Sequence, residues 1–410
     1  MNRFRSVLFW LHLIAGVTAG VVVLIMSITG VALTYEKQVL EWADRRAWSA
    51  PPSTSAQRLE PETLLAQVRL ARPEAAPTTL TLRSDPSAPA TVAFEGAGAL
   101  LVNPYSGEII GAPPTGLRTF FRTMTSWHRW LALEGPSRPV GKAITGAANL
   151  AFLFIVLSGM YLWIPRIWNR VQFRQVLWFR PGLSWKARDF NWHNVIGIWS
   201  AVPLAIVVAG AVPISYPWAS NLVYRMVGEE PPRPPQGGPA AGGPAGAGRP
   251  SEGRGRSEGG PQASASPQDA SALAGLDAGF QQALDLGPNW RAITLRLPQS
   301  PRQPFTFTVD EGYGGQPQKR GTLTIARDES ATPKWEAFAD QSTGRRLRSW
   351  LRFAHTGEYY GLTGQTIAGI VSAGGVVLVW TGLALALRRF VAWLDRRRTR
   401  TDRARPRQAA

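Results

Sequence analysis

Residues 7–35 read VLFWLHLIAGVTAGVVVLIMSITGVALTY, an apolar run with no Asp, Glu, Lys or Arg. It is long enough to cross a bilayer core, which takes about 20 helical residues. Three comparable stretches follow at Ala143–Pro165, Val195–Tyr216 and Thr366–Leu387. The basic start Met1-Asn2-Arg3-Phe4-Arg5 suits a secretory signal. The apolar run is nevertheless too long for a signal core, and no clear small-x-small cleavage site precedes Tyr35-Glu36-Lys37. An uncleaved helix is expected, and with it a helical membrane protein of four spans.

The 410 residues carry a net charge of +18. Such a surplus often marks a nucleic-acid partner, but its position argues against one. Arg166, Arg170, Arg174, Arg180, Lys186 and Arg188 crowd the link between spans two and three, against the single acid Asp189. Arg388, Arg389 and Arg396-Arg397-Arg398 follow span four. By the positive-inside rule these segments and the N-terminus face the cytoplasm. Anionic membrane lipid is then the expected partner of the basic surface. The long stretches Glu36–Lys142 and Pro217–Gln365 lie outside, which in a bacterium is the periplasm.

The chain has no cysteine, so disulfides, thiolate nucleophiles, cysteine-held iron–sulfur clusters and covalent haem attachment are all excluded. It has four histidines, His12, His128, His193 and His355, in WLHLIAG, SWHRWLAL, NWHNVIGIW and FAHTGEYYG. Each sits at the mouth of one span. Neutral imidazole is a common axial ligand of haem iron, and ionisable groups beside membrane spans are functional candidates. Any haem here would be non-covalent, hence b-type.

The chain also reads as one unit written twice. Each unit runs from a histidine-bearing helix to an outside domain, a histidine-bearing amphipathic segment and a second helix. Small-residue pairs recur near the far end of each span: Thr29-Gly30, Ser158-Gly159, Ala209-Gly210 and Thr381-Gly382. Such residues admit a close neighbour, either a helix or a flat ligand.

Outside, the run from Pro61 to Val68 reads as a helix with proline in its first turn. Thr79–Leu82 and Thr91–Phe94 read as strands, and Leu101–Ile110 as strand–turn–strand around Asn103-Pro104-Tyr105-Ser106-Gly107-Glu108. The second half offers a helix at Phe280–Leu286, strands at Ala292–Leu297, Phe305–Val309 and Gly321–Ile325, and a turn at Asp340–Gly344. Two small α+β modules are expected. The Pro/Gly/Ser-rich tract between Glu230 and Asp269 cannot bury enough apolar surface to offset its ordering entropy and reads as disordered.

The expected partition begins with span one at 1–36, an outside module at 37–115 and an interfacial amphipathic segment at 116–141. Span two at 142–166, a basic loop at 167–190 and span three at 191–217 follow. A second module then occupies 218–345 with its disordered insert at 231–268. An interfacial segment at 346–364, span four at 365–388 and a basic tail at 389–410 complete the chain.

Trp10-Leu11-His12, His128-Arg129-Trp130-Leu131, Trp192-His193 with Gly197, and the Asn103–Glu108 turn together resemble the PepSY-associated transmembrane proteins. The resemblance spans nearly the whole chain apart from the insert and the basic tail. Ala354-His355-Thr356 departs from the His-Arg-Trp-Leu form. That family includes iron-regulated inner-membrane proteins and ferric-siderophore reductases. The resemblance therefore implies PepSY-like modules outside and a ferric siderophore, or another iron chelate, as electron acceptor.

Depth sets the pairing. His12 and His193 open spans that start inside, whereas His128 and His355 precede spans that start outside. About 18 residues separate His12 from the far end of its helix, roughly 27 Å, too far for one iron to bridge. His12 is expected to pair with His193, and His128 with His355, each pair holding one haem b. Arg122, Arg129 and Arg352 flank the outer ligands, with Arg5 and Arg188 near the inner pair. Guanidinium groups there suit haem carboxylates, which they bind through paired hydrogen bonds. Trp10, Trp127 and Trp192 fit an interfacial aromatic belt.

No Gly-rich nucleotide loop follows a strand, so electrons must come from a separate cytoplasmic or quinol donor. Glu358, Tyr359 and Tyr360 are placed to meet an outside substrate, and no catalytic residue beyond the haems is expected. The rival readings are a haem-free PepSY-type binding or regulatory protein and a siderophore or metal transporter. Four spans with almost no acidic residues disfavour the transporter.

Overall fold

The computed structural model describes residues 3–48, 56–95, 98–164, 170–232, 273–298, 303–327 and 332–404. From position 233 onward the Pro/Gly-rich tract lies outside the described residues, as does Arg166. Four helices are long and apolar enough to cross a membrane: α1 (Arg3–Leu33), α5 (Arg138–Trp163), α7 (Trp185–Ser215) and α11 (Gly361–Ala404). Three of them overrun the expected spans. Helix α7 starts inside the stretch read as a basic loop, which also holds α6 (Arg170–Leu177). The α11 helix continues without a break into the stretch read as a tail. Arg and Lys are good helix formers, so hydropathy marks the membrane limit while the helix runs on.

Helix α1 packs against both α5 and α11, and α7 packs against the same two. The diagonal pair α1 and α7 therefore face each other across the bundle. Between its two ends the bundle is filled by Val23, Ala148, Phe152, Val156, Leu204, Val208 and Val371.

On one side of the bundle, the two long inter-span stretches fold onto each other. The first contributes α2 (Glu36–Arg46), α3 (Pro61–Ala71), β1 (Pro77–Arg83), β2 (Ala90–Phe94), β3 (Gly98–Val102) and β4 (Ile109–Gly111). The second contributes α8 (Pro217–Met226), α9 (Leu276–Leu286), β5 (Ala292–Arg296), β6 (Phe305–Asp310), β7 (Arg320–Ile325) and β8 (Lys334–Ala337). Two separate modules were expected. Instead these strands form one antiparallel sheet in the order β4-β3-β2-β1-β5-β6-β7-β8. The seam is β1 against β5, with Leu80 opposite Leu295 and Thr81 opposite Thr294. A shared sheet requires both long stretches to lie on the same side of the bundle.

One face of the sheet buries the apolar residues of alternate positions, as period-2 patterning demands. Leu80, Val92, Ile293, Leu295, Phe307 and Leu323 meet Leu64, Leu65 and Val68 of α3 and Leu276 and Ala283 of α9. The first turns of the two helices are tied reciprocally. Glu62 N–H donates to the Asp277 carboxylate at 2.8 Å, and Asp277 N–H donates to the Glu62 carboxylate at 3.3 Å. The Asn103–Glu108 turn docks on α3, where Gly107 at φ +75° passes so close to Gln67 that a Cβ would clash at 2.7 Å. The expected turn at 340–344 has another role. Ser342 caps α10 (Thr343–His355) by accepting from Arg345 N–H.

Two predictions follow from the seam and the paired helices. Thr81 and Thr294 have their hydroxyls 3.1 Å apart. They form a narrow, non-hydrogen-bonded pair, with Cα atoms about 4.5 Å apart, within disulfide range. In this cysteine-free chain, Thr81→Cys with Thr294→Cys should yield a cross-linked peptide by mass spectrometry; two persistent free thiols would contradict the seam.

The Asp277 carboxyl is raised above its usual range, first by burial and then by the charges of Glu62 and Glu60, against the Glu62 N–H hydrogen bond. A raised folded-state value makes the folded protein bind the extra proton. Its stabilisation is therefore complete below the unfolded value and lost as pH rises through the folded one. Asp277→Asn should melt higher than wild type at neutral pH, with the gap closing in acid; an equal gap at both would refute this origin.

Candidate functional site

Helix α4 (Thr115–Trp130) carries His128 near its end, and α10 ends on His355. Tight turns hold both helices against the spans that follow. Beyond α4, Leu131 and Ala132 take left-handed backbone (φ 53° and 57°), and Thr145 Oγ1 donates to Arg129 O at 2.9 Å. Gly141 lies so close to Trp130 O that any Cβ would overlap it. At the matching corner Gly357 and Gly364 are in mutual contact, and Gly357 has φ +73°.

The histidines lie in two layers. His12 of α1 and His193 of α7 sit at the end of the bundle away from the sheet, close enough to interact electrostatically. His128 and His355 sit at the sheet end, with ring centres 6.1 Å apart and planes 43° apart. The layers are separated along α1 by the rise from His12 to Thr29, about 25 Å.

Each imidazole is held by a neighbouring helix through Nδ1. His12 Nδ1 is 2.9 Å from Ser158 Oγ of α5, and His193 Nδ1 is 3.0 Å from Thr381 Oγ1 of α11. His128 Nδ1 lies 3.0 Å from Thr29 Oγ1 and 2.9 Å from Met26 O of α1. His355 Nδ1 lies 2.8 Å from Val207 O of α7.

The hydroxyl partners also reach carbonyls of their own helices. Ser158 Oγ donates to Ile155 O, Thr29 Oγ1 to Ile25 O and Thr381 Oγ1 to Val377 O. A carbonyl oxygen can only accept, so His128 and His355 donate through Nδ1 to Met26 O and Val207 O. Those two rings carry the proton on Nδ1 and the lone pair on Nε2, and the hydroxyl contacts of His12 and His193 suit the same tautomer. This is the arrangement in which a histidine ligates a metal, with its other nitrogen donating to an oxygen.

The small-residue pairs find their use here. Gly159, Gly30 and Gly382 lie under the Cε1 atoms of His12, His128 and His193, where an added Cβ would stand at 3.4, 3.4 and 3.3 Å. Sequence reading had marked these pairs for close approach of a helix or flat ligand. What approaches is the histidine of the next helix, with the hydroxyl supplying its acceptor. The fourth pair, Ala209-Gly210, has no hydroxyl. There α10 packs backbone on backbone, with Leu351 O where a Gly210 Cβ would stand, and the acceptor is a carbonyl.

The arginines divide into groups. Arg122, Arg129 and Arg352 are exposed on α4 and α10. Arg122 donates to Thr119 Oγ1, Arg129 stacks on Trp130 at 4.7 Å, and Arg352 lies over Phe353 at 5.5 Å. Arg5 instead closes the end of α5, donating to Leu162 O and Ile164 O at 2.5 and 2.9 Å. Arg188 and Arg388 both pair with Asp189 at 3.1 and 2.5 Å. Sequence reading missed Arg388, although it lies two turns beyond Thr381 on the same helix face. Trp10 and Trp192 stack with Arg389 and Arg188 at 5.0 and 5.4 Å. Glu358 is drawn to Lys37 at 2.6 Å, tying the histidine corner to α2.

Among the described residues no three or more His, Asp or Glu side chains gather to hold a metal ion. The donor sets are opposed imidazoles, two to a layer. One metal bonded at about 2 Å to each Nε2 puts the ring centres roughly 6 Å apart, in agreement with the sheet-end pair. The sheet-end pair is thus spaced for one metal between its two rings.

The molecule is a four-span membrane protein with a folded sheet domain on one side and a histidine pair at each end of the bundle. Residues 9–389 match the family described as the PepSY-associated TM region, and the chain belongs to that family. No curated protein matches the chain significantly.

Thr381→Val removes one of two oxygens at the His193 ring and leaves the Leu378 carbonyl, which should cost about 1 kcal/mol. Thermal melting should show the loss for Thr381→Val and little change for Thr381→Ser. Equal melting of all three proteins would mean the hydroxyl holds nothing.

Proposed function

We propose that the chain is a di-haem b electron carrier of the bacterial inner membrane that reduces a ferric chelate on the sheet side. Its family resemblance points to a ferric siderophore. The carrying observation is that all four imidazoles are held through Nδ1 by an oxygen of a neighbouring helix, the arrangement that leaves Nε2 to ligate a metal. A b-type haem bound at each pair supplies one-electron redox chemistry.

The chain's residues do the positioning. His12 and His193 grip from the diagonal helices α1 and α7, His128 and His355 from α4 and α10. Ser158, Thr29, Thr381 and the Val207 carbonyl fix the rings against rotation. Arg122, Arg129 and Arg352 are assigned to haem carboxylates at the sheet end. The apolar filling between the layers around Phe152 and Val371 excludes water, which suits electron passage better than transport of an ion or siderophore.

Orientation follows from charge. Arg170, Arg174, Arg180 and Lys186 precede or open α7 on the side away from the sheet, and Arg388, Arg389, Arg396 and Arg397 lie on that side of α11. The positive-inside rule makes that side cytoplasmic and the sheet periplasmic. Each half of the sheet, a helix followed by four strands, is read as a PepSY-like module and the chain as a tandem of two units. Electrons enter at the His12/His193 end from a quinol or cytoplasmic donor and leave at the His128/His355 end.

Potentiometric titration of single histidine variants tests the wiring. Replacing His12 or His193 by Ala should abolish one redox transition, and replacing His128 or His355 should abolish the other. If His12→Ala and His128→Ala removed the same transition, the pairing would be wrong.

A further inference from the structure

Helix α8 begins one residue after α7 ends. The hinge is Tyr216, whose extended backbone (φ −123°, ψ 120°) stops α7, and Pro217 opens the next helix. Tyr216 also fixes the depth of the hinge. Its hydroxyl lies against Gly146 of α5, where an added Cβ would stand only 2.8 Å away. Gly146 is one helical turn, about 6 Å, beyond Lys142, the last charge before the apolar run of α5. The chain therefore leaves α7 at the edge of the membrane-spanning layer, and α8 starts there.

Three strips run along α8. Ala219, Val223 and Tyr224 are buried, on a helix that packs against α7 and α10. Asn221 and Arg225 form an exposed polar strip. Trp218, Leu222 and Met226 form the third and are 55, 47 and 73 % exposed. Residues four apart on a helix lie only about 40° apart around its axis, so these three share one line. An apolar line beside a polar one is the pattern of a helix lying in a membrane surface, one side in the acyl chains and the other among headgroups. The line also continues the bundle's lipid-facing surface. Val202, Ile206 and Ile214 are exposed along α7, and Trp218 follows Ile214 by four residues. Tyr216 and Trp218, their rings 5.8 Å apart, supply the aromatic pair usual at that level.

The first half of the chain holds its matching helix differently. Helix α2 is fastened by Lys37 to Glu358, Asp44 to Arg118 and Arg45 to Asp85, and Trp42 is its one exposed large apolar side chain. Among the described residues α8 makes no salt bridge. It nevertheless steadies α10. Ser220 Oγ accepts from Arg348 Nε at 2.7 Å. Just beyond α8, the Glu229 carboxylate accepts from Gly344 N–H at 3.1 Å and from Ser342 Oγ at 2.7 Å. The helix so held ends on His355.

We propose that α8 is a membrane-surface helix whose partner is the phospholipid leaflet on the sheet side, with Trp218, Leu222 and Met226 inserted among its acyl chains. Lipid takes the place that ion pairs take on α2, and through Ser220 and Glu229 it fixes the start of α10. Three side chains on a ten-residue helix offer less than the roughly 800 Å² per partner of a stable protein interface, which disfavours a second copy as occupant.

The cysteine-free chain permits spin labels at single introduced cysteines, read by power-saturation electron paramagnetic resonance on the full chain in phosphatidylcholine–phosphatidylglycerol nanodiscs. Labels at Trp218→Cys, Leu222→Cys and Met226→Cys should collide several-fold more with oxygen, which concentrates among acyl chains, than with a water-soluble nickel chelate. Labels at Asn221→Cys and Arg225→Cys should collide more with the nickel chelate. Nickel access dominating at all five positions would overturn the proposal by placing α8 in water. Low collision with both reagents at Trp218→Cys, Leu222→Cys and Met226→Cys would overturn it in favour of a protein partner, and dipolar broadening between labels would identify that partner as a second copy.

Discussion

The hydrogen bond from each histidine Nδ1–H to an oxygen on a neighbouring helix is the constraint from which the rest of the site follows. It fixes the tautomer, the ring orientation and the helix pairing together. An imidazole that donates through Nδ1 keeps its lone pair on Nε2, and its acceptor must come from a helix close enough to reach. Glycine beside the ring gives room for that reach, since a Cβ would stand 3.3–3.4 Å from Cε1 of His12, His128 and His193. The Ser/Thr-Gly pairs are therefore receptors for histidines and not only packing devices.

The same bonds bind the bundle into a circuit. Helix α1 gives His12 to α5 and takes His128 from α4, while α7 gives His193 to α11 and takes His355 from α10. Each diagonal helix thus serves both layers, at positions 17 residues apart on α1 and 14 on α7, about 25 and 21 Å. The sheet closes the circuit from outside. Its β1–β5 seam joins the two long stretches, so α4 and α10 are brought to the same end of the bundle. Lys37 with Glu358, and Gln38 with Gln365, then lock α2 to the His355 corner.

Much of this was legible in the sequence. The four spans were visible as uncharged runs, since length and hydropathy alone decide whether a helix can cross a bilayer. The strands at Thr79–Leu82, Thr91–Phe94, Ala292–Leu297, Phe305–Val309 and Gly321–Ile325 announced themselves by β-branched alternation. Strand β8 did not, because Lys334-Trp335-Glu336-Ala337 is a short, polar edge. The seam was invisible for a different reason. Thr81 and Thr294 are far apart in the chain, and nothing local distinguishes a strand that pairs with its neighbour from one that pairs across halves. The histidine positions were plain, but their acceptors lie on other helices, so the Thr29, Ser158 and Thr381 hydroxyls showed only as a recurring small pair. Arg388 was read as a topology charge, and its pairing with Asp189 depends on the crossing of α7 and α11.

The central claim is that two pairs of Nδ1-protonated histidines each bind one haem b. Haem content per chain, measured on protein purified from haem-replete cells together with its reduced and oxidised visible spectra, tests it directly. The account predicts two haems per chain with low-spin, bis-imidazole b-type bands. A colourless protein, or one haem whose spectrum survives loss of any single histidine, would contradict it.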